Sequence, residues 1–317
     1  MKKTIALIAV LACTAMSNTH AGFLSDYFSY TKTKHPIMLV PGIFAFDTIA
    51  TVDYWYQIPS AIESRGGEVY VAKINAFESS VSRGEELIAQ LEEIKASSSG
   101  RIQKFNLMGH SQGGMTSRYV METRPDLVAS VTTMHTPHAG SPVADLATDT
   151  APPGTIQGVL TSTVFNAMGD LVNLLSDNKQ SQANVNAMLG EFNAEGSAKY
   201  NAIYTHGLPS TECGQGPSQV TINGESIRLY SWSGTGHVTN VLDISDPLFA
   251  LTSLVFDEPN DGITGKCSSH FGKVLRDDYF MNHIDVNNHV LGLTSLFETN
   301  PKTLFKDHAN RLKNAGL

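Results

Sequence analysis

Phe105-Asn106-Leu107-Met108-Gly109-His110-Ser111-Gln112-Gly113-Gly114 carries the pattern Gly-x-Ser-x-Gly at Gly109, Ser111 and Gly113. The four residues that open it are apolar but for Asn106 and suit a short buried strand, and Met115 to Met121 suit a helix. A serine between two such arms sits in a sharp, strained turn, where only small neighbours let strand and helix pass closely. Glycine on either side has no Cβ to clash. The turn lifts the hydroxyl to the edge of the sheet, beside a helix N-terminus whose dipole favours negative charge. The stretch therefore predicts a strand–turn–helix that presents Ser111 as a nucleophile.

The flanking sequence fits a parallel sheet. Before the elbow, the run His35 to Val40 is apolar, of strand length, and ends at Pro41-Gly42-Ile43. Asp53 to Ser64 suits a partly buried helix interrupted by Pro59, and Glu68 to Ala72 alternates like a strand. Ser82 with Glu85 three residues on forms a capping-box pattern for a helix running to Lys95. Leu127 to Met134, β-branched and apolar, reads as the strand after the elbow helix. The order β-α-β-α-β-α-β implies a parallel sheet covered by helices on both sides.

Beyond that frame the pattern breaks. Thr136-Pro137-His138-Ala139-Gly140-Ser141 falls at a strand's carboxyl end, where open parallel sheets place ligand-facing loops. Residues 155–175 are apolar around much of a helix, with Asp170 the one charge. They suit either a buried core helix or a mobile cover whose apolar underside shields a site. Ser226 to Trp232 reads as a late strand, Asp277 to Asp285 as a loop, and Leu291–Phe297 and Pro301–Leu312 as short terminal helices.

The chain has 317 residues, 41% hydrophobic and 16% charged, which allows a large core and argues against disorder. A net charge of −8 argues against a nucleic-acid partner. Lys2 and Lys3, an apolar stretch from Ile5 to Cys13 too short to span a bilayer, and Thr19-His20-Ala21 together read as a signal peptide over residues 1–21. The rival reading is a lipoprotein-type cysteine at Cys13. Removal of residues 1–21 leaves Cys213 and Cys267, an even pair most simply joined in one bridge; two buried thiols are the alternative.

A serine hydroxyl needs a general base, and the base needs a partner that fixes its tautomer. The expected order is Ser, then Asp or Glu, then His. Spacing leaves His270, His283, His289 and His308 open as the base, and Asp243, Asp246, Asp257 and Asp261 as the acid. Asp261 stands in an Asn-Asp-Gly turn after an apolar segment.

The chain resembles the secreted, foldase-dependent bacterial true lipases, the Pseudomonas lipase family, over nearly the whole mature length. The resemblance is carried by Val52-Asp53-Tyr54-Trp55, Gly109 to Gly114, Asn260-Asp261-Gly262, Cys267-Ser268-Ser269-His270, Leu293 to Glu298 and His308 to Leu312. It implies an α/β-hydrolase fold over residues 22–317, a mostly parallel sheet with helices on both faces and a helical lid at about 140–190. It implies a triad of Ser111, His283 and Asp261, an oxyanion hole from the N–H groups of Ile43 and Gln112, and a Cys213–Cys267 disulfide. It further implies one structural Ca2+ held by the side chains of Asp243 and Asp285 and the carbonyls of His289 and Leu293, donors that suit a hard cation. A lipase-specific periplasmic foldase and export to the medium follow from the same resemblance. Two positions depart from the family pattern: Pro41 stands where His is usual, and His289 where Gln is frequent. The expected activity is hydrolysis of long-chain triacylglycerols at an interface. A carboxylesterase for soluble short-chain esters is the rival within enzymes, and an adhesin on an inert hydrolase scaffold the rival outside them.

Overall fold

The computed structural model describes residues 27–43, 53–148, 162, 166 and 189–317. Residues 1–26, and nearly all of the 155–175 segment expected to form a cover, lie outside the described residues.

A seven-stranded sheet organises the described residues. Its strands are β1 (Ile37–Val40), β2 (Val69–Val71), β3 (Phe105–His110), β4 (Val128–Met134), β5 (Gln219–Ile222), β6 (Glu225–Gly234) and β7 (Lys273–Tyr279). The order runs β2-β1-β3-β4-β6-β5, with β7 also on β6. Only β5 is antiparallel to its neighbour. β6 is long enough for both late partners: Glu225–Arg228 pairs with β5, and Tyr230–Gly234 with β7.

The central strands are buried at every position because both faces of the sheet are covered, and their few polar side chains are paired, as Ser130 is with Asn106. Along β1, Ile37 and Leu39 enter one core and Met38 and Val40 the other. The first core includes Trp55, Met108, Trp232, Phe249 and Phe305. The second includes Leu87, Leu91, Phe105, Val120 and Phe271. The helices over these faces include α1 (Ile58–Glu63), α2 (Ser80–Ser97), α3 (Gln112–Thr123), α4 (Pro142–Thr148), α5 (Ala194–Ile203), α6 (Asp246–Thr252) and α7 (Pro301–Asn314). Pro59 lies in the first turn of α1, where its missing N–H costs nothing, so it starts that helix and does not interrupt it.

Several elements differ from expectation. α2 begins at Ser80, and its cap is Ser79, whose side chain accepts from the Ser82 N–H at 3.1 Å. Glu85 does not close a capping box; its carboxylate accepts the Tyr119 hydroxyl. Leu291–Phe297 is turn and irregular structure, because Leu291 and Gly292 both take positive φ (51° and 77°), which ends any helix there. Asp277–Tyr279 completes β7, and the loop begins only at Phe280. Strand β5 and helices α5 and α6 have no counterpart in the sequence reading.

Cys213 and Cys267 form a disulfide between positions 54 residues apart. On the loop-entropy account such a closure contributes roughly 4 kcal/mol.

The crossing at the elbow leaves no room for side chains. A Cβ on Gly113 would stand 2.0 Å from the Val40 carbonyl oxygen, and one on Gly109 would stand 2.3 Å from the Gly113 oxygen. Both obstacles are backbone, so neither can move aside cheaply. Gly113→Ala is expected to cost roughly 3 kcal/mol or more, a fall of about 6 °C or more in melting temperature. Thermal unfolding of the purified variant measures it, and an unchanged melting temperature contradicts the close crossing.

Candidate active site

Ser111 is the single residue between β3 and α3, at φ 55° and ψ −127°. A non-glycine residue in this region is strained, and such strain persists only where the surroundings enforce it. Here the Ser111 N–H donates to the Met134 carbonyl at 2.9 Å, tying the turn to β4.

The chain brings His283 and Asp261 to this serine from afar in sequence. Ser111 Oγ lies 3.0 Å from His283 Nε2, and His283 Nδ1 lies 2.9 Å from Asp261 Oδ2. His283 and Asp261 are fully buried, and Ser111 is 5% exposed. The other oxygen, Asp261 Oδ1, accepts from the N–H groups of Ile263 (2.9 Å) and Thr264 (2.6 Å). Burial alone would raise this carboxyl. The neighbouring His283 and the donors from His135 and His283 outweigh burial and hold it well below the usual range. The carboxylate therefore stays ionised and keeps the Nδ1 proton of His283 in place.

A second chain of hydrogen bonds joins the His283 backbone to the loop after β1. The Gly42 N–H donates to the Tyr54 hydroxyl at 2.8 Å, and that hydroxyl meets His110 Nδ1 at 2.5 Å. His110 Nε2 meets the His283 carbonyl at 2.7 Å. A carbonyl can only accept, so Nε2 carries the His110 proton and Nδ1 accepts from the tyrosine. Burial drives the His110 pKa well down, which keeps that ring neutral. Arg83, also fully buried, donates to the Pro41 carbonyl and to Asn75 O at 2.6 Å. Burial lowers its pKa to about 10, so it remains charged at neutral pH. Arg83 thus holds this loop through the Pro41 carbonyl, a backbone group that any residue at that position would offer.

Ile43 and Gln112 flank the serine. Gln112 is the first residue of α3, so its N–H has no partner within the helix. A largely apolar crevice runs from Ser111 between Ile43, Pro137, Val143, Ala144, Leu189, Phe192 and Ile263. A wider hollow beside the disulfide, bounded by Asp145, Asn201 and Glu258 among others, does not include Ser111.

Of the alternatives that spacing left open, His270 pairs with Asp277 at 3.0 Å and His308 bonds Thr132 at 2.8 Å. Neither contacts Ser111. Four neighbours of the site escaped the sequence reading: Arg83, Tyr54 and His110 as links, and His135. His135 follows β4 immediately, and the carboxyl end of the strand beside the elbow was the signal that could have found it.

The expected cation ligands lie close behind His283. Asp243 Oδ1 accepts from the N–H and hydroxyl of Ser245, while its buried Oδ2 has no partner among the described residues. Asp285 is buried, and its Oδ2 accepts from Thr239 and from the Asn282 N–H. Burial pushes the Asp285 carboxyl up to about 8, and Asp243 and Asp246 add to the rise. Asp243 is raised too, by burial first. Buried carboxylates with an orphaned oxygen fit a hard cation. His135, Asp261 and His283 also bring ligand-type atoms within 4.8 Å of one another. Their contacts are hydrogen-bond distances to one carboxylate oxygen, which describes shared protons and not a cation cage.

Sheet order, elbow and the Ser–His–Asp line define a class, and the chain belongs to it: it is a member of the α/β-hydrolase family, with residues 35–283 matching the description alpha/beta hydrolase fold. Within that class it is similar to bacterial proteins named triacylglycerol lipase. The one from Vibrio cholerae serotype O1 is 47% identical over 319 residues, covering 100% of each chain. The one from Pseudomonas fragi is 35% identical over 296 residues, covering 90% of this chain and 98% of the other. Among solved structures, the mature Bacillus licheniformis lipase BlEst2 superposes with a TM-score of 0.60 at 17% identity, covering 89% of this chain and 93% of that one. Lipase 1 from Pelosinus fermentans gives 0.55 at 15% identity, over 89% and 99%. At such identities the structures speak for the fold alone. Among the described residues no helix is long and apolar enough to cross a membrane.

Proposed function

We propose that this protein is a triacylglycerol lipase in which Ser111 is the nucleophile, His283 the base and acid, and Asp261 the orienting carboxylate. The observation that carries the reading is the line Ser111 Oγ–His283 Nε2–Asp261 Oδ2 at the foot of an apolar crevice. Full-length likeness to proteins named triacylglycerol lipase supports it.

In this mechanism Ser111 Oγ attacks the ester carbonyl as His283 Nε2 takes its proton. The negative oxygen of the tetrahedral intermediate accepts from the N–H groups of Ile43 and Gln112. His283 then protonates the leaving glycerol oxygen, and water repeats the sequence on the acyl-enzyme. Arg83, Tyr54 and His110 hold the oxyanion loop against the His283 backbone, so the donors are in place before charge develops. The side chains of Asp243 and Asp285, with the carbonyls of His289 and Leu293, would hold Ca2+, which would neutralise buried charge and pin the His283 loop. Residues 1–21 act as the signal peptide, residues 140–190 carry the lid, a periplasmic foldase assists folding, and the enzyme is released to the medium.

Rate against substrate concentration separates lipase from soluble esterase. An emulsified long-chain triglyceride is expected to be hydrolysed, with the rate rising as the emulsion forms. Turnover of a dissolved short-chain ester with none on the emulsion would identify a carboxylesterase.

A further inference from the structure

We propose that His135 is a positioning residue, a second imidazole that fixes the Asp261 carboxylate by donating its Nδ1–H to the oxygen that serves His283. The inference rests on the triad reading above and adds to it a residue which that reading does not use. His135 Nδ1 lies 2.6 Å from Asp261 Oδ2, against 2.9 Å for His283 Nδ1, so the carboxylate meets the non-triad ring at the shorter distance. Both nitrogens face an ionised oxygen that can only accept, so both carry protons.

The contact is held at a cost. His135 takes φ 50°, a region few non-glycine residues enter. It is fully buried, and its Nε2 has no hydrogen-bond partner among the described residues. A buried orphan acceptor and a strained backbone at one residue need a compensating interaction. The surroundings enforce the pose. The His135 N–H donates to the Trp232 carbonyl at 3.1 Å, and its own carbonyl accepts the Thr264 hydroxyl at 3.1 Å. Thr264 is the residue whose N–H grips Asp261 Oδ1. The rings of His110 and His283 each stand 6.1 Å away, and burial keeps His135 neutral.

Asp261 therefore has four donors: two backbone N–H groups on Oδ1 and two imidazoles on Oδ2. The backbone pair anchors one oxygen. The plane of the carboxylate is set by the other, and with His283 as sole donor it could follow that ring as it moves. With His135 in place the acceptor stays fixed, and the His283 ring is aimed at Ser111.

The test compares His135→Gly, which accepts positive φ and removes the donor, with His135→Asn, which also tolerates positive φ and keeps a side-chain N–H. Both are assayed on a dissolved ester, and phosphonate labelling of Ser111 is checked in each. His135→Gly is expected to lower kcat about tenfold with KM within about twofold, and His135→Asn to recover most of the loss, the scale of one donor to a buried charged group. Nitrogen-15 histidine NMR of the wild type is expected to show His135 neutral with its proton on Nδ1. A proton on Nε2, an unchanged kcat in His135→Gly, or equal losses in both variants overturns the proposal. If the wild type is not labelled at Ser111, the triad reading itself has failed, and the two failures are told apart.

Discussion

Ser111→Ala is expected to lower kcat for ester hydrolysis by on the order of 10⁴ to 10⁶ while leaving the melting temperature within about 2 °C of wild type. The size follows from the proposed role. Without Oγ no acyl-enzyme forms, and the remaining donors can only assist attack by water. The stability expectation follows from the contacts. Among the described residues the Ser111 hydroxyl bonds His283 alone, whereas the turn is held by the bond from the Ser111 N–H to the Met134 carbonyl and by the glycine crossing. Alanine keeps the backbone and the Cβ. Substantial activity in a folded Ser111→Ala protein removes the nucleophile from the account.

Removal of divalent cations is expected to produce the second large effect. Chelation leaves Asp243 and Asp285 buried without a counter-charge, and Asp243 Oδ2 without any partner. A cation present at 100 times its dissociation constant stabilises by about 2.7 kcal/mol. The melting temperature is then expected to fall by about 5–10 °C in chelator and to return on adding Ca2+. Activity should fall with it, because Asp285 accepts the Asn282 N–H while Asn282 Oδ1 accepts the N–H of Ile284, on either side of His283. An Asp243→Asn/Asp285→Asn double variant, which lacks both proposed ligand carboxylates, is expected to melt at one temperature with or without chelator. A wild type whose melting curve ignores chelator removes the cation from the account.

The architecture was legible where the physics is local. Parallel strands buried on both faces read as apolar runs, so β1, β3 and β4 stood out, and the glycines at 109 and 113 marked a crossing that admits no Cβ. The hairpin joining β5 to β6 was missed although its turn is Asn223-Gly224, both at positive φ (50° and 85°), a pair typical of tight hairpins. The apolar content of Leu291–Phe297 suggests a helix, but the positive φ of Leu291 and Gly292 forbids one.

The site was less legible than the sheet. Ser111 announces itself by its neighbours, but His283 lies 172 residues on, and its meeting with the serine is made by tertiary packing. Spacing could not separate Asp261 from Asp243 or Asp246. What distinguishes them in space is company: Asp261 has two imidazoles on one oxygen, whereas Asp243 has a serine and an orphaned oxygen. His135 was invisible for the same reason, since the partner that gives it meaning is 126 residues away.

Labelling with a long-chain phosphonate ester, followed by peptide mapping, tests the central assignment most directly. The account predicts one stoichiometric adduct on the peptide bearing Ser111, formed with loss of activity and absent from Ser111→Ala. An adduct on another residue, or active protein that resists labelling, would contradict it.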